Sequence, residues 1–191
     1  AGGTLVSAGD LDIFVAKYNA AGVHQWSQRF GGLAWDTGSS VAVDASGNVL
    51  VTGSFQGTVN FGGGNLASPV GADIFVAKYN AAGVHQWSQR FGSTGFDNGS
   101  AVAVDASGNV IITGYFAGTV NFGGGNLVSV GDQNIFVAKY NAAGVHQWSQ
   151  RFGTFANNAG TSVAVDASGN VLVTGFFRST ANFGGGNLVS A

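Results

Sequence analysis

Histidines and aspartates that recur at fixed positions are the residues of this sequence that could do chemistry. His24, His85 and His146 stand at the same place in three copies of one stretch. A metal ion needs its ligands about 2 Å from one centre, whereas equivalent positions of separate repeats are held apart. We therefore expect neither a metal site at these histidines nor a bound cofactor.

The aspartates Asp44, Asp105 and Asp166 each open the sequence Asp-Ala-Ser-Gly-Asn, which is partly similar to a calcium-binding loop. The sequence lacks the further carboxylates that such a loop supplies. We interpret these aspartates as turn caps instead. Asp44 is expected to accept a hydrogen bond from a backbone N–H two residues on, and Gly47 to take a positive φ.

No set of residues in the sequence predicts catalysis. The chain contains no Glu and no Cys, and no Ser lies in a nucleophile elbow. The glycine-rich stretch 61–65 lacks the G-K-[ST] ending and the following helix that a phosphate-binding loop needs. Every His recurs in all three copies, whereas an active site is seldom built by repeating each of its residues. We predict that the protein is not an enzyme.

Composition excludes several classes of partner. Charged residues make up 8% of the chain, far below the roughly 25% usual in soluble domains. The net charge of −2 and the pI near 5.8 provide no basic surface for nucleic acid. No apolar run reaches the ~18 residues of a membrane helix, and no signal peptide is visible. We expect no nucleic-acid and no membrane partner.

A 61-residue repeat organises the whole chain, which we treat as one segment, 1–191. The stretch DIFVAKYNAAGVHQWSQRFG at 12–31 recurs letter for letter at 73–92, and at 134–153 with only its first residue changed. The nine residues VAVDASGNV recur with the same period. Periods of this length are typical of solenoids, propellers and arrays. The chain therefore holds three structural units that share a core.

Each repeat predicts four strands and almost no helix. Residues 13–18 alternate β-branched and aromatic side chains, and Asn19 to Gly22 predicts a turn before the returning strand 23–30. A second hairpin follows at 40–43 and 48–52. Residues 58–61 and 65–68 flank three glycines and predict a glycine-tipped extension. Four antiparallel strands recurring in tandem predict an all-β chain of β-propeller blades.

The motifs D-I-F-V-A-K-Y-N-A-A-G and S-V-A-V-D-A-S-G-N-V-L-V-T-G resemble the bacterial β-propeller repeat called SBBP, which is related to the NHL and WD repeats. The resemblance covers nearly the whole chain three times. It implies that 40–43 forms the inner strand of a blade and 84–91 the outer strand. It also implies a bacterial, extracellular setting. The NFGGGNL extension departs from the family, and the near-identity of the copies indicates recent amplification or engineering.

That strand order divides the chain into an outer half-blade (12–30), two blades (39–91 and 100–152) and an inner half-blade (161–183). Three blades are fewer than the ~4–8 that close a propeller ring. Each half-blade would expose an apolar edge that can pair with another chain. We expect a homodimer with six blades, because closed two-fold assemblies are the commonest. A nine-bladed trimer, or a longer parent chain with more repeats, is the alternative.

Trp26, Trp87 and Trp148 have two interpretations. They could be platforms on which sugar rings stack, as in propeller lectins, or side chains that pack between blades. Periodic aromatic residues in propellers are usually packing devices, and we favour the second interpretation.

The variable surface lies in the loops 31–38, 92–99 and 153–160, which would project from one face of the ring. Exposed aromatic residues beside carboxylates and amides are suited to binding a glycan or a peptide. The candidate binding residues are Trp35, Asp36, Phe96, Asp97, Asn98, Phe155, Asn157 and Asn158. Drift in exposed loops, or contacts made on ring closure, would explain the variation equally well. We predict a structural, self-assembling module, with a lectin-like or protein-binding propeller as the alternative.

Overall fold

The structure is a computed structural model that describes residues 3–190. These residues form strands, turns and bends without a helix, so the prediction of an all-β chain is confirmed. The strands are β1 (Ile13–Tyr18), β2 (His24–Phe30), β3 (Thr37–Val43), β4 (Val49–Asn60), β5 (Asn65–Tyr79), β6 (His85–Phe91), β7 (Asn98–Val104), β8 (Val110–Asn121), β9 (Asn126–Tyr140), β10 (His146–Phe152), β11 (Ala159–Val165), β12 (Val171–Phe176), β13 (Thr180–Asn182) and β14 (Asn187–Val189).

Two four-stranded antiparallel sheets form the centre of the molecule, as the repeat predicts. The first has the strand order β3-β4-β5-β6 and the second β7-β8-β9-β10, so neighbours in sequence are neighbours in the sheet. β1 pairs with β2, β11 with β12, and β13 with β14, each as a two-stranded sheet. The two ends of the described chain thus contribute strand pairs, whereas its middle contributes two four-stranded blades.

The hairpin turns follow the predicted chemistry. Asp44 Oδ1 accepts hydrogen bonds of 2.9 Å from the backbone N–H groups of Ser46 and Asn48. Gly47 has a φ of 77°, in the region where a Cβ is unfavourable. Asn80 Oδ1 likewise accepts hydrogen bonds from the backbone N–H groups of Ala82 and Val84, and Gly83 has a φ of 82°. The interpretation of the aspartates as turn caps is confirmed.

The second and third strands are longer than the sequence indicates. β4 was expected to end at Thr52, but it continues to Asn60 through a bulge between Phe55 and Gly57. The glycine-tipped extension is therefore part of the blade rather than a separate hairpin. Its tip lies against His85, whose ring leaves no room for a Cβ at Gly63. This contact explains Gly62 and Gly63, while the third glycine, Gly64, has a φ of 114°, which favours glycine.

Aromatic side chains fill the core at the same places in each blade. Phe61 stacks on Phe75 with ring centroids 4.5 Å apart, and Phe122 stacks on Phe136 at 4.6 Å. The buried hydroxyl of Tyr79 donates a hydrogen bond of 3.0 Å to the carbonyl of Phe61. The long extension is thereby fixed to the third strand of its own sheet.

Adjacent blades meet along two lines. The first strands converge, because β3 packs against β7 and β7 against β11. The last strand of each unit also contacts the next unit. Trp26 Nε1 on β2 donates to the carbonyl of Ala81 at 3.1 Å, and Trp87 Nε1 on β6 donates to that of Ala142 at 3.2 Å. Each indole therefore reaches the hairpin turn of the next unit, which supports its interpretation as a packing residue.

Candidate functional site

Each of the three variable loops is hydrogen-bonded to the residue that directly precedes the 20-residue stretch of its own repeat. The backbone N–H of Asp36 donates to the carbonyl of Leu11 at 2.8 Å, and that of Asp97 to Ala72 at 2.8 Å. Asn158 makes the equivalent bond to Gln133 at 3.0 Å. The loops thus keep one backbone path although their side chains differ.

The aromatic candidates project into solvent. Trp35, Phe96 and Phe155 are all exposed, as is Leu33. The indole N–H of Trp35 donates to Asp10 Oδ2 at 3.0 Å, which fixes the ring while leaving its faces open. An exposed aromatic side chain on a fixed backbone can contact a partner at little entropic cost.

The polar candidates divide into buried and accessible residues. Asp36, Asp97 and Asn158 are buried, so their side chains serve the loop backbone. Asp97 Oδ2 accepts from the N–H of Ser93 at 2.8 Å, and Oδ1 from that of Ala117 at 2.7 Å. Asn98 is half-buried and accepts a bond of 3.4 Å from Ser39 of the neighbouring sheet. Asn157 is exposed, like the aromatic residues.

Burial changes the acidity of the loop aspartates. It raises the pKa of Asp97 to about 6, against the two backbone hydrogen bonds that favour the charged form. The pKa of Asp36 is raised as well, chiefly by burial. A ligand-binding role for the candidate residues stays a prediction. It now rests on the exposed candidates, because the buried ones cannot contact a ligand.

The sequence did not predict a role for three residues that directly follow the backbone acceptors of the loops. Asp12 and Asp73 form ion pairs with Arg29 and Arg90, and Asn134 Oδ1 accepts from Arg151 at 2.7 Å. One signal was present in the sequence. The first residue of the 20-residue repeat changes from Asp to Asn in the same copy in which Asp97 is replaced by Asn158.

The edges of β1 and β12 expose residues that are buried elsewhere in the chain. Phe75 is 1% exposed, whereas its equivalent Phe14 on β1 is 71% exposed. Leu50 is fully buried, whereas its equivalent Leu172 on β12 is 56% exposed. β5 and β4 cover one another, while β1 and β12 each lack that neighbour. Among residues 3–190, β1 and β12 therefore each have an apolar edge without the partner strand that the blades provide.

Ion pairs cross the same strands in the complete blades. Lys78 Nζ lies 3.1 Å from Asp44, and Lys139 Nζ lies 2.9 Å from Asp105. Partial burial raises the pKa of Asp105, but hydrogen bonds from Asn109 and Lys139 outweigh it and lower the pKa to about 2. Among residues 3–190, the equivalent Asp166 has no such ion pair.

The described residues contain neither a cluster of metal ligands nor a membrane-spanning helix. Within 3–190, no group of three or more His, Cys, Asp or Glu side chains is arranged to hold a metal ion. The same residues form no helix long and apolar enough to cross a membrane.

Comparison with known proteins agrees with the fold. Residues 25–54 match the SBBP β-propeller repeat. The chain is 29% identical to an uncharacterized WD repeat-containing protein of Acanthamoeba polyphaga mimivirus, over 91% of the chain and 14% of that protein. It is also 29% identical to the regulatory protein FlaEY of Caulobacter vibrioides, over 84% of the chain and 18% of that protein. The chain spans less than a fifth of the length of these relatives.

The four-stranded sheets and the repeat match define the class: the chain is a β-propeller repeat protein. The residues that match the SBBP repeat, 25–54, run from the last strand of one unit into the first two strands of the next.

Replacing Asp97 by Ala tests the structural role of the buried loop residues. The variant leaves the N–H groups of Ser93 and Ala117 without acceptors, and we expect the free energy of unfolding to fall by about 2–3 kcal/mol. Urea unfolding followed by fluorescence measures this change. Asp132→Ala, at an exposed position, is the control and should change stability by less than about 0.5 kcal/mol. Equal effects of the two variants would contradict the assignment.

Proposed function

We propose that the chain is a non-enzymatic propeller module that assembles with a second copy of itself. In this assembly β12 of each copy pairs with β1 of the other, so that two half-blades become one blade at each junction. Two copies then form a closed ring of six blades. The function of the module is structural: it provides a ring-shaped scaffold of near-identical blades.

The observation that carries this proposal is the exposure of β1 and β12. Tyr79 is 2% exposed, whereas the equivalent Tyr18 is 59% exposed, although the sequence around the two is identical. Burying apolar surface contributes roughly 25 cal/mol per Å². An unpaired strand edge also offers a row of free backbone groups to a partner strand. A second copy satisfies both the side chains and the backbone.

The repeats define the register of the proposed pairing. Val51 lies opposite Ala77 in the first blade, and Ile112 lies opposite Ala138 in the second. Shifting these pairs by the 61-residue period places Val173 opposite Ala16 of the second copy. The contact that fixes the extension transfers in the same way. The hydroxyl of Tyr18 would donate to the carbonyl of Phe183, as Tyr140 does to Phe122 at 2.9 Å.

The same shift supplies an ion pair and a turn contact. Lys17 would meet Asp166 of the second copy, as Lys139 meets Asp105 within the chain. Trp148 would donate its indole N–H to the carbonyl of Ala20, as Trp87 does to Ala142. The second copy thus has polar as well as apolar partners at the junction. These contacts oppose a slipped register, because a shift by one residue turns every side chain to the other face.

Two copies are favoured over three because closed two-fold assemblies are the commonest, and six blades fall within the usual range for propellers. Further repeats in a longer chain could supply the same strand pairing without a second copy. The relatives, of which this chain spans less than a fifth, support keeping that alternative.

Disulfide cross-linking tests the register directly, because the chain has no native Cys. We expect chains carrying Ala16→Cys and chains carrying Val173→Cys to form a covalent dimer when mixed and oxidised. The two Cα atoms would lie within the ~4.4–6.8 Å that a disulfide spans. Non-reducing gel electrophoresis and intact mass measure the product.

The matched control pairs Val173→Cys with Phe14→Cys, two residues out of register. Its Cα atoms would lie beyond ~7 Å, and it should cross-link poorly. Equal yields from both pairs would contradict the proposed register. Failure of the Ala16→Cys/Val173→Cys pair to cross-link, with both variants folded, would contradict assembly through these edges.

A second candidate function rests on the exposed aromatic residues of the variable loops. Trp35 and Phe96 occupy equivalent positions on successive units, and buried polar side chains hold the backbone beneath both. Fixed aromatic rings on one face of a scaffold suit a glycan or a peptide ligand. We propose this face as the binding surface of the ring.

The double variant Trp35→Ala/Phe96→Ala tests the loop surface. We expect wild-type protein to be retained on a glycan array or a peptide-affinity column, and retention by the variant to fall at least about tenfold, because each ring contributes at least ~1 kcal/mol. Leu33→Ala, on the same loop as Trp35, is the control for general loop damage. Retention unchanged in the double variant would contradict a binding role for these residues.

A further inference from the structure

A pair of buried carboxyl groups lies where the first four-stranded sheet meets the second. Asp73 is 0% exposed and Asp97 is 1% exposed. The backbone N–H of Asp97 donates to the carbonyl of Ala72, the residue before Asp73, at 2.8 Å. The two acids are therefore neighbours inside the protein, where a charge on one acts strongly on the other.

One oxygen of the pair has no partner. Asp73 Oδ2 is paired with Arg90, and both oxygens of Asp97 accept backbone N–H groups, from Ser93 and Ala117. Asp73 Oδ1 is buried and accepts no hydrogen bond. A buried polar atom without a partner is costly, and such atoms are rare in folded proteins.

The third repeat provides a comparison for the carboxyl pair, because both acids are replaced there by amides. Asn134 stands for Asp73 and Asn158 stands for Asp97. Asn134 uses Oδ1 to accept from Arg151, which leaves its Nδ2 where Asp73 has the unpartnered Oδ1. That amide nitrogen donates to the carbonyls of Thr154 at 2.8 Å and Gln133 at 3.0 Å.

The second amide behaves in the same way. Asn158 Nδ2 donates to the carbonyl of Ala156 at 2.5 Å. A Cβ added at Gly153 would lie 2.8 Å from Asn158 Nδ2 and 3.1 Å from Asn134 Nδ2, so both nitrogens border one glycine. In the first repeat, the equivalent Gly31 borders two carboxylate oxygens, Asp12 Oδ1 and Asp36 Oδ2. The same place therefore holds two hydrogen-bond donors in the third repeat and two acceptors in the first, where Asp36 Oδ2 accepts from Gly32 and Asp12 Oδ1 has no partner.

We propose that the Asp73–Asp97 pair is a binding site for a single proton, carried by Asp97 and donated to Asp73 Oδ1. The proton gives Asp73 Oδ1 the hydrogen-bond donor that it lacks, at the place where the third repeat has amide N–H groups that donate to backbone carbonyls. It also leaves one carboxylate to balance Arg90, so the buried cluster becomes neutral. The other titratable group that faces the pair is Tyr115 on β8.

The acidity of the two groups agrees with this arrangement. Burial raises the pKa of Asp97 to about 6, and the charge of Asp73 raises it further against the hydrogen bonds from Ala117 and Ser93. Burial also raises the pKa of Asp73, although Arg90 opposes it. The raised values mean that the folded chain binds more protons than the unfolded chain between the ordinary value of 3.8 and about 6. The stabilisation is complete below that window and is lost as the pH rises through about 6.

Infrared spectroscopy of the intact protein detects the proton directly, because a protonated carboxyl has a C=O band separate from the carboxylate bands. We expect wild-type protein to show this band at pH 5 and to lose it with a midpoint near pH 6. The Asp73→Asn/Asp97→Asn variant reproduces the amide pair of the third repeat, and it should lose the part of the band that disappears near pH 6, keeping only what the equivalent Asp12–Asp36 pair contributes. Asp132→Asn, at an exposed position, is the matched control and should keep it.

The reciprocal variant Asn134→Asp/Asn158→Asp should strengthen the band, because it adds a third carboxyl pair. Absence of the band from wild-type protein throughout pH 4.5–8 would overturn the proposal, since both acids would then be ionised. The proposal would also fail if calcium or sodium chloride at pH 7.5 raised the melting temperature of wild-type protein but not of Asp73→Asn/Asp97→Asn. That result would make the occupant of the site a metal cation.

Discussion

Pairing between the second and third strands of each blade is the interaction on which the rest of the structure depends. In the first sheet this pairing runs from Val49 opposite Tyr79 to Asn60 opposite Asn65. It covers the apolar residues of both strands and brings Lys78 to Asp44. At β1 and β12 that partner strand is missing, and Phe14, Tyr18 and Leu172 are exposed where their equivalents in the blades are buried. Near-identical segments of the chain thus occur with and without a partner strand, and their difference in exposure shows how much surface the pairing buries.

A second constraint acts on the loops: the residues that hold their backbone are different from the residues that face solvent. Their backbone is held by buried side chains such as Asp97, whereas Trp35 and Phe96 point outward. Support residues cannot vary freely, because an unsatisfied buried N–H destabilises the fold. Exposed residues can vary without that penalty. The greatest sequence variation of the chain accordingly lies in loops whose path is the same in all three repeats.

Features set by neighbouring residues were predictable from the sequence. Alternating side chains predict the strands around Ile13–Tyr18, and Asp44 with Gly47 predicts its turn, because the determinants lie within a few residues. Features set by distant contacts were not. The length of β4 depends on a bulge and on aromatic packing against β5, and the glycine tip depends on His85. The carboxyl pair was missed because Asp73 and Asp97 are far apart in the chain and meet only in the folded protein.

Static light scattering during size-exclusion chromatography tests the central claim most directly. The account predicts a species of twice the 19.2 kDa chain mass, with two junctions in which β12 of one copy meets β1 of the other. Three times the chain mass would retain the strand pairing but contradict the six-bladed ring. A folded monomer of 19.2 kDa at concentrations well above micromolar would contradict pairing between copies.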